Sequence, residues 1–327
     1  MTNMINTPVT SPEAARHASA TVGSVLANTR RRSFPWHWLI VLGVGVALFA
    51  AVAVAVVTTH DPILVPSLLL VGAAVVPVTL TTLVTEVEGS NALTLPNVLT
   101  AAVLGGVAGG VLAGVLEFAT VGAIGSLPYL AIGLIEESVK LAIPVGLFAW
   151  GRSRGRAVDG LILGVAAGSG FAALETAGYG FVALLQTHGQ LRPVEGLLLS
   201  RALSSLGGHA AWTGLAAAAW FSIGGARTRR RGWTRFLGTL ALVVCLHALW
   251  DANVTDGFDR WVGGFSFAVL VGTAAWLSRK GRITARVTPQ VPGSPRAAAR
   301  RGVWFLHTPP LTMLSRFQHE HDAAVTK

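Results

Sequence analysis

The stretch Ile132-Gly-Leu-Ile-Glu136-Glu137-Ser-Val-Lys140-Leu-Ala-Ile-Pro144 places two adjacent carboxylates and a lysine inside an otherwise apolar run over residues 127–150. An α-helix rises about 1.5 Å per residue, so these roughly 24 residues can cross a hydrocarbon core of about 30 Å. A charged side chain in the middle of such a span costs at least about 2.5–3.5 kcal/mol on insertion scales. Three charges at this depth therefore need partners and indicate either a functional site or a structural ion pair.

The spacing within this stretch suggests different roles for the two glutamates. Glu136 and Lys140 are four residues apart, so on a helix they share a face and are predicted to pair. Glu137 points about 100° away and is left to handle a proton, a metal or a water inside the membrane. The alternative is that the charges form a buried ion pair that only orients neighbouring helices.

The composition of the whole chain indicates a polytopic membrane protein. The 327 residues are 52% hydrophobic and only 12% charged, against about 25% charged residues in a soluble domain. The formal net charge of +10 would suggest nucleic acid as the partner of a soluble chain. Here the basic residues lie in short loops beside apolar spans, so we expect a lipid bilayer and no nucleic acid.

Apolar runs divide the chain into a membrane-embedded core between two polar ends. We predict an all-α bundle of about eight transmembrane helices within residues 36–278, preceded by a disordered basic cytoplasmic arm at 1–35. A basic, proline-containing cytoplasmic tail is predicted at 279–327. The predicted spans are about 36–59, 63–85, 97–120, 127–150, 157–185, 196–223, 236–251 and 261–278.

The basic residues also predict an orientation in the cell membrane. Two of them lie in spans, Lys140 and Arg201, and two in loops expected to face outward, Arg192 and Arg260. Eight spans with both termini cytoplasmic place all the other Lys and Arg residues on the inner side, as the positive-inside rule requires. The orientation predicts that the glutamate pair lies between the middle of the membrane and its outer surface.

Three later spans carry further polar residues at a similar predicted depth. Because groups on separate helices at one depth can converge, we predict a single cavity that opens outward rather than separate ion pairs. His247 and Asp251 are four residues apart, so the carboxylate can orient the imidazole. The residues concerned are Phe171 and Glu175 in the fifth span, Arg201, His209 and Trp212 in the sixth, and His247, Trp250 and Asp251 in the seventh.

These residues form four ordered motifs that resemble the PrsW family of intramembrane proteases, which is distantly similar to the CAAX prenyl proteases. The motifs are Glu136-Glu137-x-x-Lys140, Phe171-x-x-x-Glu175, His209 with Trp212, and His247-x-x-Trp250-Asp251. The resemblance implies an intramembrane endopeptidase that cleaves a membrane-bound protein, with an anti-sigma factor as one possible substrate class. It assigns catalysis to Glu136, Glu137, Glu175, His209 and His247, with Lys140, Phe171, Arg201, Trp212, Trp250 and Asp251 in support.

Two mechanisms fit the resemblance. In one, Glu137, Glu175, His209 and His247 hold a divalent metal such as zinc. In the other, Glu137 deprotonates a water without a metal, and a histidine stabilises the oxyanion or protonates the leaving amine. Two functions from other classes stay open on the same residues: a proton- or ion-coupled transporter, and a non-catalytic scaffold that binds single-span partners.

Overall fold

The structure is a computed structural model that describes residues 36–88, 90, 92–125, 128–150, 155–252 and 257–287. The predicted N-terminal arm and the tail beyond residue 287 lie outside these ranges. Helices make up nearly all of the described chain, and no strand occurs within it. The predicted all-α polytopic bundle is therefore confirmed.

The helices follow one another with short connections. Brief 3-10 turns occur at Pro62–Leu64, Ser205–Gly207 and Ile223–Gly225. The α-helices are α1 His37–Thr59, α2 Val65–Glu88, α3 Leu95–Ile124, α4 Tyr129–Trp150, α5 Ala157–Gln186, α6 Leu191–Ser204, α7 His209–Phe221, α8 Arg229–Ala252 and α9 Phe258–Val287.

Six of the eight predicted spans coincide with helices that are long and apolar enough to cross a membrane, namely α1, α2, α3, α5, α8 and α9. The fourth predicted span forms α4, which is 22 residues long but carries three charges. The sixth predicted span is not one helix, because the chain breaks between α6 and α7. The last helix runs to Val287, beyond the predicted end of the bundle at residue 278.

The break between α6 and α7 lies in the sequence Ser205-Leu-Gly207-Gly208. Irregular backbone at membrane depth is tolerated only where protein covers it or water reaches it, and both glycines are buried here. A Cβ atom on Gly207 would lie 1.8 Å from the carbonyl oxygen of Gly263 in α9, so only glycine permits this approach. The break makes His209 the first residue of a new helix.

Helix α5 lies at the centre of the bundle, and small residues bring it close to its neighbours. Glycines at 160, 164 and 168 recur every four residues and face the backbone of α7. A Cβ atom on Gly168 would lie 2.3 Å from the carbonyl oxygen of His209, and one on Gly164 would lie 2.5 Å from that of Thr213. Small residues at this spacing let helices in lipid pack backbone to backbone, so the two helices have a defined register.

Candidate active site

Four helices bring the predicted acidic and histidine side chains into one cluster. Helix α4 contributes Glu136 and Glu137, α5 contributes Glu175, α7 contributes His209 and α8 contributes His247. The two histidine rings have their centroids 5.0 Å apart. The convergence predicted from the matched depths of these residues is therefore present in the structure.

Lys140 lies at the centre of the cluster and is fully buried. Its Nζ is 3.1 Å from Glu136 Oε2 and 2.6 Å from Glu137 Oε1. The predicted pair of Glu136 and Lys140 is therefore present, but Glu137, which was expected to point away, also pairs with Lys140. A flexible side chain of four methylene groups reaches partners at both i−4 and i−3, because both positions adjoin it on a helix.

Glu137 is the most enclosed acidic residue of the cluster, with no exposed surface. Besides Lys140, its Oε1 accepts from His247 Nδ1 at 3.0 Å, and its Oε2 accepts from the Thr213 hydroxyl at 3.1 Å. Both oxygens are therefore occupied by protein donors. Glu136 is less enclosed, with a side chain that is 10% exposed.

His209 uses its two ring nitrogens in opposite directions. Its Nε2 donates to Glu175 Oε2 at 2.8 Å, which leaves Nδ1 as the acceptor of the neutral ring. This Nδ1 faces inward, 2.8 Å from Lys140 Nζ and 3.9 Å from Glu136 Oε2.

His247 repeats the arrangement on the other side of Glu136. Its Nδ1 donates to Glu137 Oε1, so the acceptor nitrogen of the neutral ring is Nε2. This Nε2 lies 3.6 Å from Glu136 Oε2 and 3.4 Å from Asp251 Oδ2. The predicted proximity of His247 and Asp251, one helical turn apart, is thus present, but the carboxylate that takes the ring proton is Glu137 rather than Asp251.

Glu136, His209 and His247 form a group whose ligand atoms all lie within 4.8 Å of one another. Two ligands of a tetrahedral zinc ion are about 3.4 Å apart, given bonds of about 2.0–2.1 Å, so the 3.6 and 3.9 Å separations at Glu136 come close to a metal site. Each histidine also gives its other nitrogen to a carboxylate, an arrangement that is usual for metal ligands. The geometry thus favours Glu136 as the carboxylate ligand in place of the expected Glu137 and Glu175, which orient the histidines.

The charges around the cluster also suit a cation. Glu117 of α3 interacts electrostatically with Glu136 and adds a fifth acidic side chain to Glu136, Glu137, Glu175 and Asp251. Among the described residues, Lys140 and Arg201 are the Lys and Arg side chains that pair with this set. Uncompensated negative charge is costly away from water, so a divalent cation would reduce the imbalance.

Aromatic side chains enclose the histidines. Trp212 is fully buried and stacks on His247, with ring centroids 4.8 Å apart and planes inclined by 24°. Its indole N–H donates to Ser266 Oγ of α9 at 2.9 Å. Phe171 meets His209 edge-on at 5.2 Å, and Trp250 packs against Trp212 at 5.8 Å. The aromatic rings thus limit how far either imidazole can rotate.

Arg201 lies where the cluster becomes accessible. Its guanidinium donates to Glu175 Oε2 at 2.8 Å and to Thr176 Oγ1 at 3.1 Å, and it lies over the ring of Tyr179. The side chains of Arg201 and Glu175 are 26% and 25% exposed. Arg201 therefore pairs with a carboxylate of the cluster.

Three supporting features of the site are absent from the sequence-based assignment. Thr213 follows His209 by one turn and bonds Glu137, and Ser266 holds Trp212. No pattern identifies either hydroxyl, because each acts on a residue distant in the chain. The third feature is the row of glycines at 160, 164 and 168 that seats α7 on α5, and its spacing of four is a signal that the sequence does contain.

The chain matches a known protein family. A family model described as PrsW family intramembrane metalloprotease matches residues 34–277. No curated protein and no solved structure matches the chain.

Proposed function

Because the chain belongs to the PrsW family of intramembrane metalloproteases, we propose that it hydrolyses a peptide bond of a membrane-bound protein with a divalent metal, such as zinc, held by Glu136, His209 and His247. The family makes the protein a peptidase of a membrane. One observation carries the assignment of the site. Each histidine directs one nitrogen toward Glu136 and gives the other to a carboxylate, as metal-binding histidines usually do.

A divalent metal in this site would act as a Lewis acid that polarises the scissile carbonyl and lowers the pKa of a bound water. The chain's own contribution is to hold the ligands in place. Glu137 Oε1 accepts the Nδ1 proton of His247 and Glu175 Oε2 accepts the Nε2 proton of His209, so the inward nitrogen of each neutral ring is the one that carries the lone pair. Trp212 stacks on His247 and excludes water from one face of the cluster.

We assign proton transfer to Glu175. A general base must reach the attacking water, and the 25% exposed Glu175 side chain is accessible, whereas Glu137 is fully buried with both oxygens occupied. Glu175 takes a proton from the water and returns it to the leaving amine. Arg201, beside it, is positioned to stabilise negative charge on the carbonyl oxygen.

The proposed substrate is a protein anchored in the same membrane, with a membrane-bound anti-sigma factor as the favoured class. This class follows from the family resemblance. The proposal includes cleavage toward the outer side of the cell membrane with both termini of the protease in the cytoplasm, since the basic loops are then all on the inner side.

The orientation is testable with reporter fusions. A reporter placed after Arg231, beside the arginine-rich start of α8, is expected to be cytoplasmic, and one placed after Gln190, in the turn before α6, to be external. Activity of a cytoplasmic and a periplasmic reporter at both sites gives the readout. The reverse location at either site would overturn the outward-facing site.

Metal dependence is the direct test of the proposed chemistry. Purified protein in proteoliposomes with a cleaved single-span substrate is expected to lose activity in a chelator and regain it with zinc, because three ligands remain to rebind the ion. Metal content by mass spectrometry should fall and return in parallel. Full activity of protein shown to be metal-free would remove the metal mechanism and leave the metal-free Glu/His alternative.

The same experiment separates the protease from the two other functions considered. An ion- or proton-coupled transporter would move charge across the proteoliposome without cleaving any single-span protein. A scaffold would retain its partner intact in both wild type and a Glu136→Gln variant. The membership of the metalloprotease family favours hydrolysis over both.

A further inference from the structure

Lys140 competes for the atoms of the proposed metal site. Its Nζ lies 3.1 Å from Glu136 Oε2 and 2.8 Å from His209 Nδ1, which are two of the three ligand atoms. The side chain has no exposed surface, so its ammonium group depends entirely on protein partners. The structure therefore places the Lys140 ammonium on two of the atoms that are proposed to bind a divalent metal.

The Lys140 ammonium and a divalent metal cannot occupy this site at the same time in the geometry of the structure. Glu136 Oε2 and His209 Nδ1 are 3.9 Å apart, so a metal with bonds of about 2.1 Å to each must lie within about 1 Å of their midpoint. The distances to Lys140 place its Nζ about 2 Å from the same midpoint. An ammonium group has no lone pair to offer a metal, and its charge repels the ion strongly at that range.

We propose that Lys140 is a movable internal cation that fills the metal site in the metal-free protein and withdraws when a divalent metal enters. This inference rests on the metal site proposed above. It makes metal loading an exchange of one cation for another rather than the filling of an open cavity.

The structure offers the displaced ammonium a place to remain. Glu137 Oε1 lies 2.6 Å from Lys140 Nζ and is not among the three proposed ligands. The Phe171 ring lies beneath Nζ with its centroid at 4.2 Å, and an aromatic face attracts a desolvated cation. A rotation of the lysine chain can therefore release Glu136 and His209 while these two contacts persist.

The arrangement also explains how the acidic cluster is tolerated before metal arrives. Glu136 and Glu137 face Lys140 from its own helix, and His209 faces it from α7. A buried carboxylate that loses its only cation destabilises a fold by several kcal/mol. The ammonium group supplies that cation during insertion and folding, and a metal can replace it later.

The test compares zinc affinity in three purified proteins by competition with a fluorescent chelator. The proteins are wild type, Lys140→Met and Lys140→Gln, the last of which keeps a hydrogen-bond donor near Glu137 but carries no charge. Removal of the competing cation is expected to tighten zinc binding at least about tenfold in both variants. Zinc should also raise the melting temperature of each variant more than that of wild type.

Two controls separate this inference from the proposed metal site. Lys280→Met removes a lysine from α9 that lies over Trp276, and its zinc affinity should match wild type. If wild type binds no zinc, or if His209→Ala with His247→Ala binds as tightly as wild type, the metal site itself is wrong. If wild type binds zinc through these histidines and the folded Lys140 variants bind no tighter, Lys140 does not compete and the inference is overturned.

Discussion

Replacement of Glu136 by glutamine is expected to lower cleavage of a membrane-bound substrate at least about 100-fold while the protein still accumulates. Glu136 is the carboxylate toward which both inward nitrogens point, at 3.6 and 3.9 Å, so the amide removes the only anionic ligand of the proposed site. Folding should survive because Lys140 keeps its 2.6 Å contact with Glu137. Co-expression with candidate single-span proteins, read by immunoblot, measures cleavage and abundance together.

The matched control for this variant is Glu195→Gln. Glu195 lies in α6, outside the cluster, and the change removes the same charge without touching a residue of the proposed site. Wild-type cleavage is expected, with unchanged abundance. Normal cleavage of a verified substrate by Glu136→Gln would contradict both the metal site and the proposed hydrolysis, and would favour the scaffold function.

Replacement of Glu137 by glutamine is expected to impair folding, at a cost of roughly 3–5 kcal/mol. Glu137 is fully buried and holds Lys140, His247 and Thr213 at once. The glutamine amide removes the negative charge nearest to the Lys140 ammonium. Its NH₂ group also adds a hydrogen-bond donor at a place where Lys140, His247 and Thr213 already donate. Low abundance in membranes and a lower melting temperature in detergent are the expected measurements.

A second substitution tests whether charge is the cause. With Lys140→Met added, no stranded ammonium remains, so abundance should recover in part even though cleavage does not. Such non-additivity is typical of residues in direct contact. Full abundance with complete loss of cleavage in the Glu137→Gln single variant would instead support the assignment from helix spacing, with Glu137 as the catalytic base.

The two glutamates illustrate why spacing along one helix does not assign roles. Helical geometry places Glu136 on the face of Lys140 and Glu137 beside it, and both statements hold in the structure. The two residues differ in their surroundings because α7 and α8 pack against Glu137. Thr213 and His247 occupy both oxygens of Glu137, whereas Glu136 keeps an exposed fraction.

The choice among the candidate metal ligands also depends on how other helices pack against them. The sequence contains four candidate groups in the right order and at similar depth, and it predicts that they meet. Which histidine nitrogen faces inward depends on the carboxylate behind the ring, and that partner comes from another helix. Glu175 behind His209 and Glu137 behind His247 leave Glu136 as the acidic ligand, a result that no local pattern contains.

The chain alone determined that this is an all-α membrane protein, because apolar runs of about 20 residues must satisfy their backbone inside each helix. It also determined that the charged residues converge, since charge in lipid needs a partner. Only the tertiary structure decided the break before His209, the removal of Glu137 from contact with water, and the position of Lys140 beside Glu136 and His209. These features depend on close packing between helices distant in the chain, and that packing is a property of their surfaces rather than of any one segment.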